Sequence, residues 1–483
     1  MDIALVGAGI GGLAAAACLL QQGHKVRVYE QAGEVSEVGA AVQMSANAVK
    51  VLYQLGLKET LDRHAVRPES FQFLRYDSGD LLHLIVLGDE HEKRHGHPYY
   101  QIHRVDLHHG LMQVVQSLDP NALVLGKRAQ AVHENKEQAL VRFADGSEVT
   151  ADLLIGADGI KSVVRRHVVD DSPPVFTGQV AWRLAIPIER IAPELRPPMA
   201  STIWCGPKNH AVMYYMRGGR VLNFVGCVER PWEEESWTAR KPWSELNADY
   251  EGWHPMVRAP IEAADKDQCF RWALNNRQPV MTWCTQRVAL LGDAVHATLP
   301  YMAQGAAMAI EDAAILSRAL ALDVPLGERL GIYESHRAPR AARPGRRGRG
   351  PSGHRLLPGF LHRVPGHGHG HQRGPRHPDR RADGRSAVRP DQRDPDLQLP
   401  AGEPGAFGRL RHPCKRLGRA GGRQSRLRRR RLCRPAGDRR QQPCQPSAGV
   451  RLRHERRGSG RAGGGQSGLR RRRQRRTAGD RRV

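Results

Sequence analysis

The sequence predicts an α/β fold: a nucleotide-binding domain on a parallel sheet, interrupted by a sheet-rich insertion and followed by a stretch of unrelated composition. Three observations predict it. Three short apolar stretches, DIALVG (2–7), DLLIGADGI (152–160) and RVALLGDA (287–294), each run into a Gly- or Asp-bearing turn. That is where open α/β sheets present their ligand crevice. Residues 178–275 carry shorter, alternating patterns, and the composition changes abruptly near Arg343.

Residues 2–7 form the first strand, GAGIGG (7–12) turns into an Ala/Leu helix reaching about Gln22, and KVRVYE (25–30) is the next strand. This is a βαβ opening. Its apolar start follows Asp2 and is broken by glycines, so a buried strand and helix explain it better than a signal peptide or membrane span. Residues 71–85, AVMYYMRGG (211–219) and VLNFVGCV (221–228) read as hairpins of a second, sheet-rich domain. MAQGAAMAIEDAAILSRAL (302–320) is a strong helix former. The nucleotide domain is therefore expected to be discontinuous, over 1–70, 100–175 and 280–343, with 71–99 and 176–279 forming the substrate domain. Cys18, Cys205, Cys227, Cys269 and Cys284 have neither CxxC pairs nor regular spacing. That favours a reducing compartment, hence the cytoplasm, over a disulfide framework. No metal site is expected.

Residues 344–483 hold 38 Arg and 1 Lys against 9 acidic side chains, so all of the chain's excess positive charge sits there. The first 343 residues carry 36 basic against 40 acidic groups, a net of −4. The terminal block has no Ile, Met, Asn, Trp or Tyr, and little apolar area to offset the entropy of ordering it. GRQSRLRRRRLCRPAGDRR (422–440) nearly recurs as GGQSGLRRRRQRRTAGDRR (464–482). Three readings fit: a shifted reading frame of GC-rich DNA, a disordered basic tail, and a folded repeat. Arg without Lys favours the first, and the repeat lacks the apolar periodicity of stacked units.

Gly7, Gly9 and Gly12 supply GxGxxG after a strand. The first permits the tight turn, the second lets a pyrophosphate approach the backbone, and the third allows close helix packing. Free N–H groups at the helix start suit phosphate. Glu30 ends the second strand and can accept bonds from an adenosine ribose. An acidic strand end suits an unphosphorylated ribose, so FAD or NAD fits this site and NADP does not.

Beyond the βαβ unit, residues 1–343 resemble the group A flavin-dependent aromatic hydroxylases, near salicylate hydroxylase, 3-hydroxybenzoate 6-hydroxylase and 6-hydroxynicotinate 3-monooxygenase. Five ordered motifs carry the resemblance: GAGIGG (7–12), EVGAAVQMSANAVKVLYQLGL (37–57), HRVDL (103–107), GADGIKSVVR (156–165) and LLGDAVHATLPYMAQGAAMAIEDA (290–313). It implies a Rossmann-like FAD-binding domain with an inserted sheet-rich substrate domain, like that of para-hydroxybenzoate hydroxylase. It also implies FAD as cofactor and NADH, or NADPH, as co-substrate. The reaction would insert one atom of dioxygen into a small aromatic acid through a flavin C4a-hydroperoxide.

The resemblance also assigns residues. Asp293 would lie near the ribityl and pyrophosphate of FAD, where a buried carboxylate must find donors. Arg104 would contact FAD, and Asp158 with Gly159 would serve FAD and pyridine nucleotide, although GADG is equally a natural tight turn. Pro300 would stand beside the reactive face of the flavin. Gln304 and Gly305 begin a helix whose N–H groups can face the flavin carbonyls and stabilise reduced flavin. Gly39, Ala40 and Ala41 would let the ring approach the backbone. His210 matches the position that faces the substrate hydroxyl, and an imidazole can take or relay a phenolic proton. Tyr214 lies on the same strand face and can orient substrate, Tyr301 borders the site, and His296 reads as structural.

Pro300 and Tyr301 depart from the 3-hydroxybenzoate and hydroxynicotinate patterns respectively, which leans the expectation toward a salicylate-like acid, with 3-hydroxybenzoate and hydroxynicotinate as alternatives. Insertion at the carboxyl-bearing carbon of a salicylate-like substrate would release carbon dioxide and leave a catechol. The rival class, a basic nucleic-acid-binding protein, rests on tail charge alone, without aromatic interleaving or zinc spacing. Neither a nucleic-acid nor a membrane partner is expected. Monomer and homodimer both remain open.

Overall fold

A computed structural model of the chain describes residues 1–34, 41–232 and 239–347. Gly39 and Ala40, like the Arg-rich block from 348 on, lie outside the described residues. Strand Asp2–Val6 sits in the middle of a five-stranded parallel sheet, ordered Val288–Leu290, Leu153–Gly156, Asp2–Val6, Lys25–Tyr29, Leu123–Val124. Ile3 stands opposite Val26 on one side and Leu153 on the other. The central strands are almost wholly apolar because helix Ile10–Gln21 and the three-stranded sheet of Ala129–Glu134, Ala139–Phe143 and Glu148–Ala151 pack on them. Helix Ile10–Gln21 is buried through Leu13–Ala17, and its alanines admit a second helix, Gly305–Leu320, at close range. A Cβ on Gly11 would lie 3.0 Å from that of Ala309.

The substrate-side sheet has seven strands, ordered Phe270–Asn276, Val175–Pro187, Val221–Glu229, His210–Met216, Ser201–Cys205, Ser70–Arg75, Leu81–Val86. All neighbours run antiparallel except Ser201–Cys205 and Ser70–Arg75, which are parallel. Strand alternation gives the sheet two different faces. One buries Trp182, Leu184, Met213, Tyr215 and Phe224 against Leu246, Tyr250, Val257 and Ile261 of the covering helices. The other presents Gln179, Ala181 and Arg183 beside Cys227, Val225 and Asn223, and then His210, Val212 and Tyr214. That second face meets strand Ala41–Met44: the Tyr214 hydroxyl donates to the Ala41 carbonyl at 3.1 Å, and Tyr99 donates to Gln43 Oε1 at 2.8 Å.

Helix Leu326–Arg347 locks the parallel sheet from outside. Tyr333 donates to the Leu290 carbonyl at 2.8 Å, and the Glu334 carboxylate accepts the backbone N–H of Trp283 at 2.5 Å and of Cys284 at 3.0 Å. Among the described residues, no helix is long and apolar enough to cross a membrane.

Candidate active site

The glycine-rich turn is shaped for a dinucleotide. Gly7 has φ +104°, and a Cβ on Gly12 would lie 2.0 Å from the Gly7 carbonyl oxygen, so both positions exclude a side chain. A Cβ on Gly9 would meet open space, which leaves the first turn of helix Ile10–Gln21 approachable. No side chain caps that helix, so its first N–H groups remain for an anion. Glu30 Oε2 accepts the Ala8 N–H at 2.8 Å and Oε1 the Ala32 N–H at 3.0 Å. These bonds hold the carboxylate beside the turn. The residues present therefore fit an FAD pyrophosphate and ribose.

At the far edge of the same crevice, strand Val288–Leu290 leads through Gly292, φ +61°, into the single helical turn Asp293–His296. Asp293 is exposed, which corrects the expectation of a buried carboxylate at this strand end. The positive φ at Gly292 swings the chain outward at the strand end, so the Asp293 side chain opens to the crevice. The buried acid here is Asp312, whose Oδ2 accepts the Gly292 N–H at 2.9 Å and lies 2.6 Å from His296 Nε2. Arg337 completes the set, donating to Asp312 Oδ1 at 2.7 Å and Glu311 Oε2 at 2.6 Å. His296 thus has the structural role expected of it.

Asp158 is also tied into its own turn: its carboxylate accepts Ser162 Oγ at 2.5 Å, the Val163 N–H at 2.7 Å and the Val164 N–H at 3.2 Å. Burial raises its pKa, and these donors partly offset the rise. Gly159 follows with φ +77°. The tight-turn chemistry of GADG is therefore fully expressed. Arg104 opens helix Arg104–Leu118, half-buried, and its charge reaches Arg183.

The segment after the turn passes exposed Pro300 and then Ala303, which holds a left-handed φ of +49° before Gln304. Gln304 caps helix Gly305–Leu320 without a side-chain cap bond, and the first turn carries no acidic residue. The positive end of this helix is open at Gln304 and Gly305. Gln304 Nε2 lies 3.4 Å from Ser45 Oγ, linking the two segments that would flank a ring.

Above them stands the polar face of the seven-stranded sheet. His210 is 7% exposed and packs its ring edge-on against Tyr301, with centroids 5.4 Å apart at 67°. The Tyr301 hydroxyl donates to Gln179 Oε1. Tyr214 is buried, and burial pushes its hydroxyl pKa up to about 12, so it is a neutral hydrogen-bonding group. Arg183 lies over the Trp272 ring at 5.0 Å, with its buried Nε lacking a hydrogen-bond acceptor. Gln179 and Arg183 escaped the sequence reading. Their signal was alternation in QVAWRLAI (179–186), where Val180, Trp182, Leu184 and Ile186 enter one core and the polar residues share the other face.

Comparisons with known proteins agree with this geometry. A family model described as an FAD binding domain matches residues 1–347. The chain is 37% identical over 349 residues to the 3-amino-4-hydroxybenzoate 2-monooxygenase PtmB3 of Streptomyces platensis, covering 72% of this chain and 86% of the relative. It is 37% identical over 353 residues to the 6-hydroxynicotinate 3-monooxygenase of Bordetella bronchiseptica, covering 71% and 88%. The crystal structure of Klebsiella pneumoniae HpxO complexed with FAD and uric acid is similar with a TM-score of 0.64 at 28% identity, over 71% of this chain and 85% of that one. A glycine turn fitted to a dinucleotide, a polar sheet face, and a family match spanning both place this chain in the family of FAD-dependent aromatic hydroxylases.

Proposed function

We propose that this chain hydroxylates a small hydroxylated aromatic or hydroxy-heteroaromatic acid, using one NAD(P)H and one dioxygen per turnover. One oxygen atom enters the ring and the other leaves as water. Bound FAD supplies the redox chemistry, taking a hydride from NAD(P)H and activating dioxygen. Gly7, Gly9, Gly12 and Glu30 bind its adenosine diphosphate portion, with Arg104 and Asp293 toward the pyrophosphate and ribityl chain. The open helix end at Gln304 and Gly305 would favour negative charge on a bound flavin. Pro300 would border the ring, and the small Ala41 would let it approach the backbone.

The observation that carries the reading is the His210–Tyr301 contact on a sheet face that also holds Tyr214 and Gln179. His210 accepts the phenolic proton, which raises electron density on the ring and makes it a better nucleophile. Tyr301 and Tyr214 orient the substrate, and the apolar floor of Val212 and Val225 excludes water. The relatives named above act on 3-amino-4-hydroxybenzoate and 6-hydroxynicotinate, both small aromatic acids. Pro300 and Tyr301 favour a salicylate-like member of the class.

The test is a panel of hydroxybenzoates, aminohydroxybenzoates and hydroxynicotinates presented to the purified full chain. Hydroxylated product is scored alongside NADH and NADPH consumption, because an analogue can stimulate reduction without being hydroxylated. At least one acid should give product in proportion to nucleotide oxidised. Flavin-loaded protein that hydroxylates none of them would sink the proposal.

A further inference from the structure

We infer that Arg183 anchors the substrate carboxylate, so that the preferred acid carries its hydroxyl para to that carboxylate. This rests on the aromatic-acid reading above and names the geometry of the same site. Arg183 projects from strand Val175–Pro187 on the face shared with His210 and Tyr214. Its guanidinium stacks on Trp272, its buried Nε has no acceptor, and among the described residues no carboxylate pairs with it. The titratable groups that reach it are Tyr214, Cys227 and Arg104, and of these Arg104 is a second cation. Arg183 is half-buried, and its Nε is withdrawn from water without an acceptor; bidentate carboxylate binding is the best compensation.

The register sets the length of the ligand. Arg183 pairs across to Val225, and Val225 to Val212, while His210 pairs with Cys227 one same-face step away. Arg183 and His210 therefore stand two strands apart, offset by two residues. Their Cα atoms are separated by roughly 12 Å on ordinary sheet spacings. Between them lie the small apolar side chains of Val212, Val225 and Cys227, a floor on which Leu299 and Tyr301 pack and beside which an aromatic ring can rest. One molecule touches both residues only when its carboxylate and hydroxyl lie at opposite ends of the ring. In salicylate the two groups are neighbours, and a molecule held by Arg183 leaves His210 without its proton donor. The carboxylate anchor thus argues for a para-related acid over the salicylate-like one suggested by Pro300 and Tyr301.

The experiment is titration of the FAD-loaded full chain with 4-hydroxybenzoate, 6-hydroxynicotinate, salicylate and 4-hydroxybenzamide, followed by perturbation of the flavin spectrum. The wild-type protein should bind the two para acids at least about tenfold more tightly than salicylate. Arg183→Gln should weaken the para acids by about 100-fold and leave the uncharged amide unchanged. Arg183→Lys should recover part of the loss, while FAD affinity and the KM for NADH stay constant in both variants. Salicylate binding as tightly as the para acids would overturn the inference. So would an Arg183→Gln defect confined to FAD or NADH, which would assign the cation to a nucleotide phosphate. If none of the hydroxyarenes perturbs the flavin of wild-type protein, the aromatic-acid reading itself fails and takes the anchor with it. The wild-type isomer comparison decides the matter even if Arg183→Gln does not fold.

Discussion

His296 Nε2 and Asp312 Oδ2 meet at 2.6 Å in a pair that is 6% and 0% exposed, directly beneath the turn that presents Asp293. Burial alone would depress the His296 pKa, but the Asp312 carboxylate outweighs it and the pKa is raised. For Asp312, burial pushes upward, yet His296 and Arg337 prevail and the pKa is lowered. The His296 contribution to stability is thus complete below its ordinary value of 6.5 and is lost as pH rises through the elevated folded value. The Asp312 contribution is complete above 3.8 and is lost as pH falls through the depressed folded value. The pair stabilises most between those two ordinary values. Asp312→Asn should cost about 3–5 kcal/mol and flatten the pH dependence of Tm measured by thermal denaturation.

His210→Asn should retain FAD but lower kcat by roughly 10²–10³ at neutral pH. The loss should shrink as pH rises toward the ionisation of the free phenol, because the substrate then arrives already deprotonated. Rapid-reaction measurement of product formation against pH checks this. A pH-independent defect would assign His210 to binding alone.

Gln179→Leu removes the acceptor of the Tyr301 hydroxyl. A hydrogen bond of this kind is worth about 1 kcal/mol, so kcat/KM should fall roughly fivefold. Part of the NADH oxidised should then yield hydrogen peroxide in place of product. Gln179→Glu keeps an acceptor and should restore coupling. Simultaneous peroxide and product assays read both outcomes.

Gly12→Ala would drive a Cβ to 2.0 Å from the Gly7 carbonyl oxygen, and neither backbone segment can yield without reshaping the phosphate turn. The variant should purify without visible flavin absorbance while the far-ultraviolet dichroism stays close to wild type. Gly9→Ala meets no protein atom within 4 Å, so any loss of flavin there would come from the ligand side.

The flavin half of the fold was legible because its signals are local. Strand, glycine turn, helix and acidic strand end occur within Asp2–Glu30, and each fixes its neighbour's geometry. The hairpins over 211–228 were legible for the same reason. Arg183 was not, since a single arginine in AWRLAI acquires meaning only from Val225, which pairs with it across 42 residues of chain, and from Val212, which pairs with Val225. Asp293 was read as buried because strand ends in parallel sheets usually are. The left-handed Gly292 that turns it outward looks in sequence like any other glycine. The Gln179–Tyr301 bond spans more than 100 residues, and no periodicity announces it.

The parallel sheet has a consequence for how the chain is made. Strand Asp2–Val6 leaves the ribosome well before its neighbour Leu153–Gly156, which emerges about 150 residues later, and the Val288–Leu290 strand beyond it later still. The turn bearing Asp293 is pinned only when Arg337 has been synthesised. Domains form as units when their last long-range partners appear. The nascent protein must therefore carry an unfinished cofactor crevice until Arg337 has emerged, and FAD capture belongs after that point.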